Sequence, residues 1–219
     1  MLSKLRGIII GTIPYSESSL ILRCYTDKLG LQSYMVSGFK GKSAAVKPAQ
    51  LLPLTLVEME VYHQQHKNLQ RIKELKTTPS ILQLHINMQK AAVGMFIAEL
   101  IGKCIREDSE ADADLFDFIF NSVQILDLYE GSIANFPAFF MYRLCRYLGF
   151  DPILADFTHE PLEDYFKALA NSSYQNLSTL AFNIDIRQQL LERLVRYYKV
   201  HYLFLGELKS PQVLNEVLS

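Results

Sequence analysis

The hydrophobic period of this chain changes once, near Pro79, and that change restricts the fold more than any other feature. Before it, apolar residues alternate. Leu20, Leu22 and Cys24 oppose Ile21, Arg23 and Tyr25 along SLILRCYT (19–26), and Leu54, Leu56, Glu58 and Glu60 oppose Thr55, Val57, Met59 and Val61 within 51–63. KLRGIIIGTI (4–13) and LQSYMVS (31–37) have the same extended character. PYSE (14–17) and DKLG (27–30) carry turn chemistry. NLQRIKELK (68–76) reads as a fifth strand or as a helical turn. Four or five short antiparallel strands this close together predict a small barrel rather than an open sheet.

After Pro79 apolar residues recur at three and four. Helices are predicted across 80–105, from Leu115 to a C-cap at Gly131, across 136–149 with Pro137 in the first turn and Gly149 as the stop, across 187–206, and across 210–218 behind Ser210 as N-cap. Residues 150–183 read as irregular. The fold class is therefore α+β, with a barrel domain at 1–78, a helical domain at 79–219 and a boundary near Thr77–Ser80.

Several classes of function lose support at this stage. No apolar run approaches the roughly 20 residues of a membrane span, and MLSKLRGIII lacks a signal-peptide pattern, so cytoplasmic residence is expected. Three distant cysteines suggest no disulfide framework. The scattered histidines offer no ligand set, and His63 and His66, three apart in a strand or hairpin, face opposite sides. GxSxG, phosphate-loop, GxGxxG and HExxH motifs are absent. The expectation is a protein that is not an enzyme and needs no cofactor.

Charge supplies the positive lead. Residues 1–80 hold eleven Lys/Arg against five Asp/Glu, a net +6, while the remainder carries −7. A basic barrel on a nearly neutral chain fits a polyanion partner. Single-stranded nucleic acid needs cations along its phosphates and aromatics under its bases. The candidates are Arg23, Tyr25, Lys28, Tyr34, Phe39, Lys40, Lys42 and Lys47, with the last four inside the lysine-rich stretch GFKGKSAAVKP (38–48). Tyr25, Tyr34 and Phe39 read equally well as barrel core. The acidic run REDSEADAD (106–114) reads as a helix start, with an acidic docking surface as the alternative. Arg187, Arg193, Arg196 and Lys199, opposite an apolar stripe, form a second basic surface or an ordinary solvated face. Phe139, Arg143 and Arg146 in FFMYRLCRYLGF could hold a peptide ending in a hydrophobic residue and a carboxylate, or simply pack a helix.

RGIIIGTIPYSESSLILRCYTDKLGLQSYMVSGFKGK (6–42) resembles the N-terminal domain of the bacterial RecO family: a Gly-Ile-Ile-Ile strand, a Tyr-x-Glu-Ser turn, a Thr-Asp-x-x-Gly-Leu turn and a basic loop. MFIAELIGKCI (95–105), FFMYRLCRYLGFDP (139–152) and YYKVHYLFLGELKSPQVLNEVL (197–218) extend the resemblance across nearly the whole chain. It implies an oligonucleotide-binding (OB) barrel followed by a helical domain. It implies binding of single- and double-stranded DNA, strand annealing, and assistance in loading RecA onto strands coated by single-stranded DNA-binding protein, in a nucleoid-associated setting. It also implies two protein partners, RecR and the C-terminal tail of single-stranded DNA-binding protein. Lys40 and Lys42 match the family's basic loop. The arginines of the familiar tail pocket are replaced here by Ala138 and Phe139, and the four-cysteine zinc module of many relatives has no counterpart after Cys145. The alternative is a protein-interaction adaptor whose barrel no longer binds DNA.

Overall fold

The computed structural model describes residues 2–218 apart from 38–47, 65, 79–82, 108, 153–156, 158–160 and 203–204. Five strands close into a barrel in the order β1-β2-β3-β5-β4: β1 (Leu2–Ser16), β2 (Ser19–Thr26), β3 (Gly30–Ser37), β4 (Leu56–Tyr62) and β5 (Leu69–Thr77). Alternation places Leu22, Cys24, Tyr34, Val57, Met59 and Val61 inside, all nearly or fully buried. The segment 68–76 is thus a strand. Two expectations change. The barrel is not wholly antiparallel, because β3 and β5 close it in parallel through Ser33–Leu69, Tyr34–Gln70 and Met35–Arg71. The fourth strand begins at Leu56, since Pro48–Leu51 forms a 3-10 turn and Leu54 takes φ 61° to swing the chain into β4. Gly7 faces the interior, where a Cβ would lie 2.5 Å from Cys24 Sγ, so this position needs glycine to let the walls approach.

Seven helices are present among the described residues: α1 (Gln83–Ile86), α2 (Met88–Cys104), α3 (Ala113–Leu128), α4 (Phe136–Tyr147), α5 (Glu163–Ala170), α6 (Ile184–His201) and α7 (Ser210–Val217). α4 ends in a Schellman motif, with Gly149 at φ 83°, Gly149 N–H on Arg146 O at 3.3 Å and Phe150 N–H on Cys145 O at 3.1 Å. Gly131 does not cap α3, which stops at Leu128; it admits Ser178, whose Cβ would lie 2.8 Å from an added Cβ. The segment read as irregular contains α5, held by Phe166 stacked on Phe157 at 3.9 Å. α6 starts at Ile184, capped by Asn183, whose side chain accepts from Ile186 N–H at 2.8 Å. Ser210 is the first residue of α7 rather than its cap, and its hydroxyl donates instead to Glu99.

The chain divides into two compact units. One comprises residues 1–85 and 105–124, the other 86–104 and 125–219. The first takes in 105–124 because this stretch covers part of the outer barrel wall. Phe116 of α3 packs on Tyr25 with ring centres 5.8 Å apart, and the Arg6 guanidinium lies 5.1 Å over the Phe116 ring and 2.9 Å from Asp117. Asp112 starts α3 by accepting from Leu115 N–H at 2.9 Å, the helix-start role expected of the acidic run.

Candidate nucleic-acid interface

The outer wall of β2 and β3 is the part of such a barrel that meets nucleic acid. Arg23 lies there, paired with Ser33 in the β2–β3 register. Neither side chain faces open solvent alone. Glu107 accepts from Arg23 Nε at 3.3 Å and from the Ser33 hydroxyl at 3.0 Å, so a carboxylate occupies the position a phosphate would take. Tyr25 lies on the same wall but is 1% exposed, sealed by Phe116, with its hydroxyl donating to Asp112 O at 3.4 Å. Tyr34 points into the barrel interior and is fully buried. Neither tyrosine offers a ring face to a base, which corrects the expectation for both. Tyr34 is enclosed because even-numbered β3 positions face inward, and Tyr25 because a helix distant in sequence covers it. Lys28 is exposed and donates to Lys4 O at 3.0 Å. Phe39, Lys40, Lys42 and Lys47 lie outside the described residues.

Most other cations of the barrel are already engaged. Glu60 holds Lys4 at 3.3 Å and Lys73 at 2.8 Å, Glu74 holds Lys76 at 2.9 Å, and Asp27 holds Arg6 at 3.4 Å. These two lysines hold the Glu60 carboxyl below its usual range. Residues 105–124 add one arginine and six acids to the barrel's unit, so the +6 of residues 1–80 falls to +1 over residues 1–85 and 105–124. Among the described barrel residues, Lys28, Lys67 and Arg71 have no carboxylate within ion-pair distance.

The second unit treats its arginines differently. Phe139 is 2% exposed, packed edge-on against Tyr174 at 4.9 Å. Arg143 donates to Ala170 O at 3.1 Å and Ser172 O at 2.6 Å, closing the C-terminus of α5, and lies 5.1 Å over Phe139. These two therefore hold the helical unit together instead of lining a peptide groove, because Phe139 is buried and Arg143 donates to the carbonyls at the end of α5; Arg146 alone stays exposed. On α6, Leu190, Leu191, Leu194 and Tyr198 are buried as the period requires, and Arg196 and Lys199 are exposed. Arg193 is half-buried, 5.2 Å over the Phe157 ring, and Arg187 donates to Phe182 O and Leu218 O. The basic surface of this helix thus reduces to Arg196 and Lys199. A cavity of about 30 Å³ lies by Pro137, Ala138, Ile184, Arg187, Leu191 and Leu214, with room for little more than a water molecule.

The four-cysteine donor set of a zinc module does not fit this chain. It has three cysteines, and Cys24, Cys104 and Cys145 are all buried free thiols. Among the described residues no three His, Cys, Asp or Glu gather to hold a metal, and no helix is long and apolar enough to cross a membrane.

A closed five-stranded barrel in the 1-2-3-5-4 order, followed in the chain by helices, defines an OB-type domain joined to a helical domain. Residues 1–81 match the family described as recombination protein O N terminal, and residues 86–158 the recombination protein O C terminal family. The chain is 31% identical to the DNA repair protein RecO of Flavobacterium psychrophilum and 32% identical to that of Bacteroides fragilis, each over 99% of both chains. It is 28% identical to the RecO protein of Azobacteroides pseudotrichonymphae over the same shares. The chain belongs to the RecO family of DNA repair proteins.

Proposed function

We propose that this chain is a DNA-binding recombination mediator without catalytic activity. It binds and anneals single-stranded DNA, and with RecR it assists RecA loading onto strands coated by single-stranded DNA-binding protein, whose tail it contacts. The observation that carries the reading is the family match along the full chain, joined to an OB-order barrel whose lysine-rich segment follows β3. Annealing brings two phosphate backbones together, and cations on one scaffold lower the repulsion that opposes it. Because the barrel's unit carries only +1, attraction is a local matter of Lys40, Lys42 and their neighbours rather than of net charge.

The test is anisotropy of a labelled oligonucleotide across a salt series, followed by strand annealing with and without single-stranded DNA-binding protein. Affinity should fall with salt at a log–log slope of several units, and Lys40→Ala with Lys42→Ala should lower that slope by about one to two. A flat salt response removes the electrostatic account. The engaged cations and enclosed tyrosines favour the second reading, an adaptor whose barrel no longer binds DNA; absence of binding even at low salt selects it.

A further inference from the structure

Residues 105–124 cover the barrel's outer wall at Arg6, Arg23, Tyr25, Gly30 and Ser33, and their Glu107 and Glu110 line a cleft with Lys67. Two residues along from Arg23 and Ser33, the register aligns four outward residues across four strands. Tyr62 of β4 pairs with Arg71 of β5, Arg71 with Met35 of β3, and Met35 with Ile21 of β2. Their inward neighbours Val61, Ile72, Tyr34, Val36, Leu20 and Leu22 belong to the barrel core, so alternation sends this row outward. Tyr62 is 49% exposed, Arg71 is exposed, and Met35 and Ile21 are half-buried. Directly paired residues on one face have Cβ atoms about 5 Å apart, and Tyr62 and Arg71 line the same cleft.

The β4–β5 turn completes the site. The Gln70 side chain, 2% exposed, accepts from Gln64 N–H at 2.9 Å and donates to Gln64 O at 2.9 Å and Lys67 O at 2.5 Å. This buried amide fixes the turn that carries Lys67. A cleft of about 180 Å³ opens between Tyr62, Gln64, Lys67, Leu69 and Arg71. Lys67 and Arg71, like Lys28, have no described carboxylate within ion-pair distance, and of these three they are the two that line the cleft beside the exposed Tyr62. Met35, the third residue of the row, stands two residues before Ser37, after which the lysine-rich segment begins.

We infer that single-stranded DNA crosses this barrel over the β4–β5–β3 wall, with a base stacked on Tyr62 and phosphates on Arg71 and Lys67, and not over the β2–β3 end where Glu107 holds Arg23. The inference rests on the proposed DNA-binding function and adds its path. It is tested with the full chain and a labelled oligothymidine. Tyr62→Ala should weaken binding about five- to hundredfold, the range of a lost base–aromatic stack, while Tyr62→Phe keeps the ring and stays within about twofold. Lys67→Ala with Arg71→Ala should lower the salt slope by about 1.4, and Arg23→Ala should leave it unchanged. Photocrosslinking of an iodouracil oligonucleotide to the parent chain should label Tyr62, a readout independent of how any variant folds. If the parent binds, but Tyr62→Ala and the double variant bind equally well and the crosslink falls elsewhere, the path is wrong. If the parent fails to bind oligothymidine even at low salt, the DNA-binding reading itself falls, and the path with it.

Discussion

Gly7→Ala puts the barrel's packing to a direct test. The added Cβ would lie 2.5 Å from Cys24 Sγ, 3.1 Å from Val57 Cγ2 and 3.2 Å from Met59 Cε. Relaxed contacts between such atoms lie at about 3.5–4.0 Å, so the sulfur must retreat by about 1 Å. It has little room, since Cys24 is fully buried on β2, where its neighbour in the register is Ile9. Met59 Cε ends a flexible side chain and gives way more easily. Overpacking of this size costs about 1–3 kcal/mol, and alanine recovers about 0.5–1 kcal/mol of the entropy glycine loses in a strand. The net expectation is a loss of about 1–2 kcal/mol, or a midpoint about 2–8 °C lower in thermal unfolding of a chain this size. Cys24→Ala alone should cost about 1 kcal/mol for the lost buried thiol. In the double variant the new methyl takes the space the sulfur left. The two losses should therefore not add, and the coupling should return at least about 1 kcal/mol. Gly7→Ala as stable as the parent, or a double variant that sums both losses, would refute the claim that Cys24 Sγ sets the requirement for glycine.

Three further outcomes are expected. Glu107→Gln should raise affinity for oligothymidine at low salt by about two- to fivefold, the scale of one surface ion pair, by releasing Arg23; unchanged or weaker binding would mean that this carboxylate does not compete with phosphate. Burial pushes the Glu99 carboxyl upward, but hydrogen bonds from the Ser210 hydroxyl and from Lys209 and Ser210 N–H, with Lys103 nearby, outweigh it and hold the group below its ordinary value. Its stabilising contribution is thus full above about pH 4.5 and lost as pH falls through the depressed value, so the stability gap between parent and Glu99→Gln should shrink in acid; a pH-independent gap refutes this. Burial pushes the Cys104 and Cys145 thiols up to about 12, and Cys24 higher still, so a thiol reagent should label the native chain slowly and all three cysteines after denaturation; rapid native labelling would contradict their burial.

β2 and β4 were legible because each carries its own alternation, and Val57, Met59 and Val61 share the face expected; the mixed pattern of β5 fits either a strand or a helical turn. The local signal for a helix end held at Gly149 and failed at Gly131 and Ser210, whose surroundings are set by Ser178 and Glu99. What escaped is everything that depends on a partner distant in sequence. The parallel closure of β3 on β5 leaves no trace in either strand alone. Tyr25 has the right strand, face and residue type for a stacking platform, and only the placement of Phe116, about ninety residues later, removes it. Arg143 carries a free charge in the sequence, and only the end of α5 shows that its donors are taken. Tyr62 and Arg71 were missed for the converse reason. Cross-strand pairing joins residues nine apart, and the one signal available beforehand was an aromatic on the polar face of a strand followed by an arginine on the next.

The same dependence changes what charge means here. A count along the chain separates a basic third from an acidic remainder and suggests attraction over a broad surface. Folding returns six of the acids to the barrel's unit, and one of them, Glu107, sits on the arginine best placed for phosphate on β2. The screening length at physiological salt is about 8 Å, so a unit of net +1 steers a polyanion only through local clusters. Binding by such a surface should depend on a few contacts and release its strand readily when they are lost. Under the proposed annealing function, that arrangement would serve a protein that meets two DNA strands and then leaves the joined duplex: cations held by carboxylates would exchange one anion for another, while Tyr62 and Arg71 would offer a stack and a charge that need no exchange.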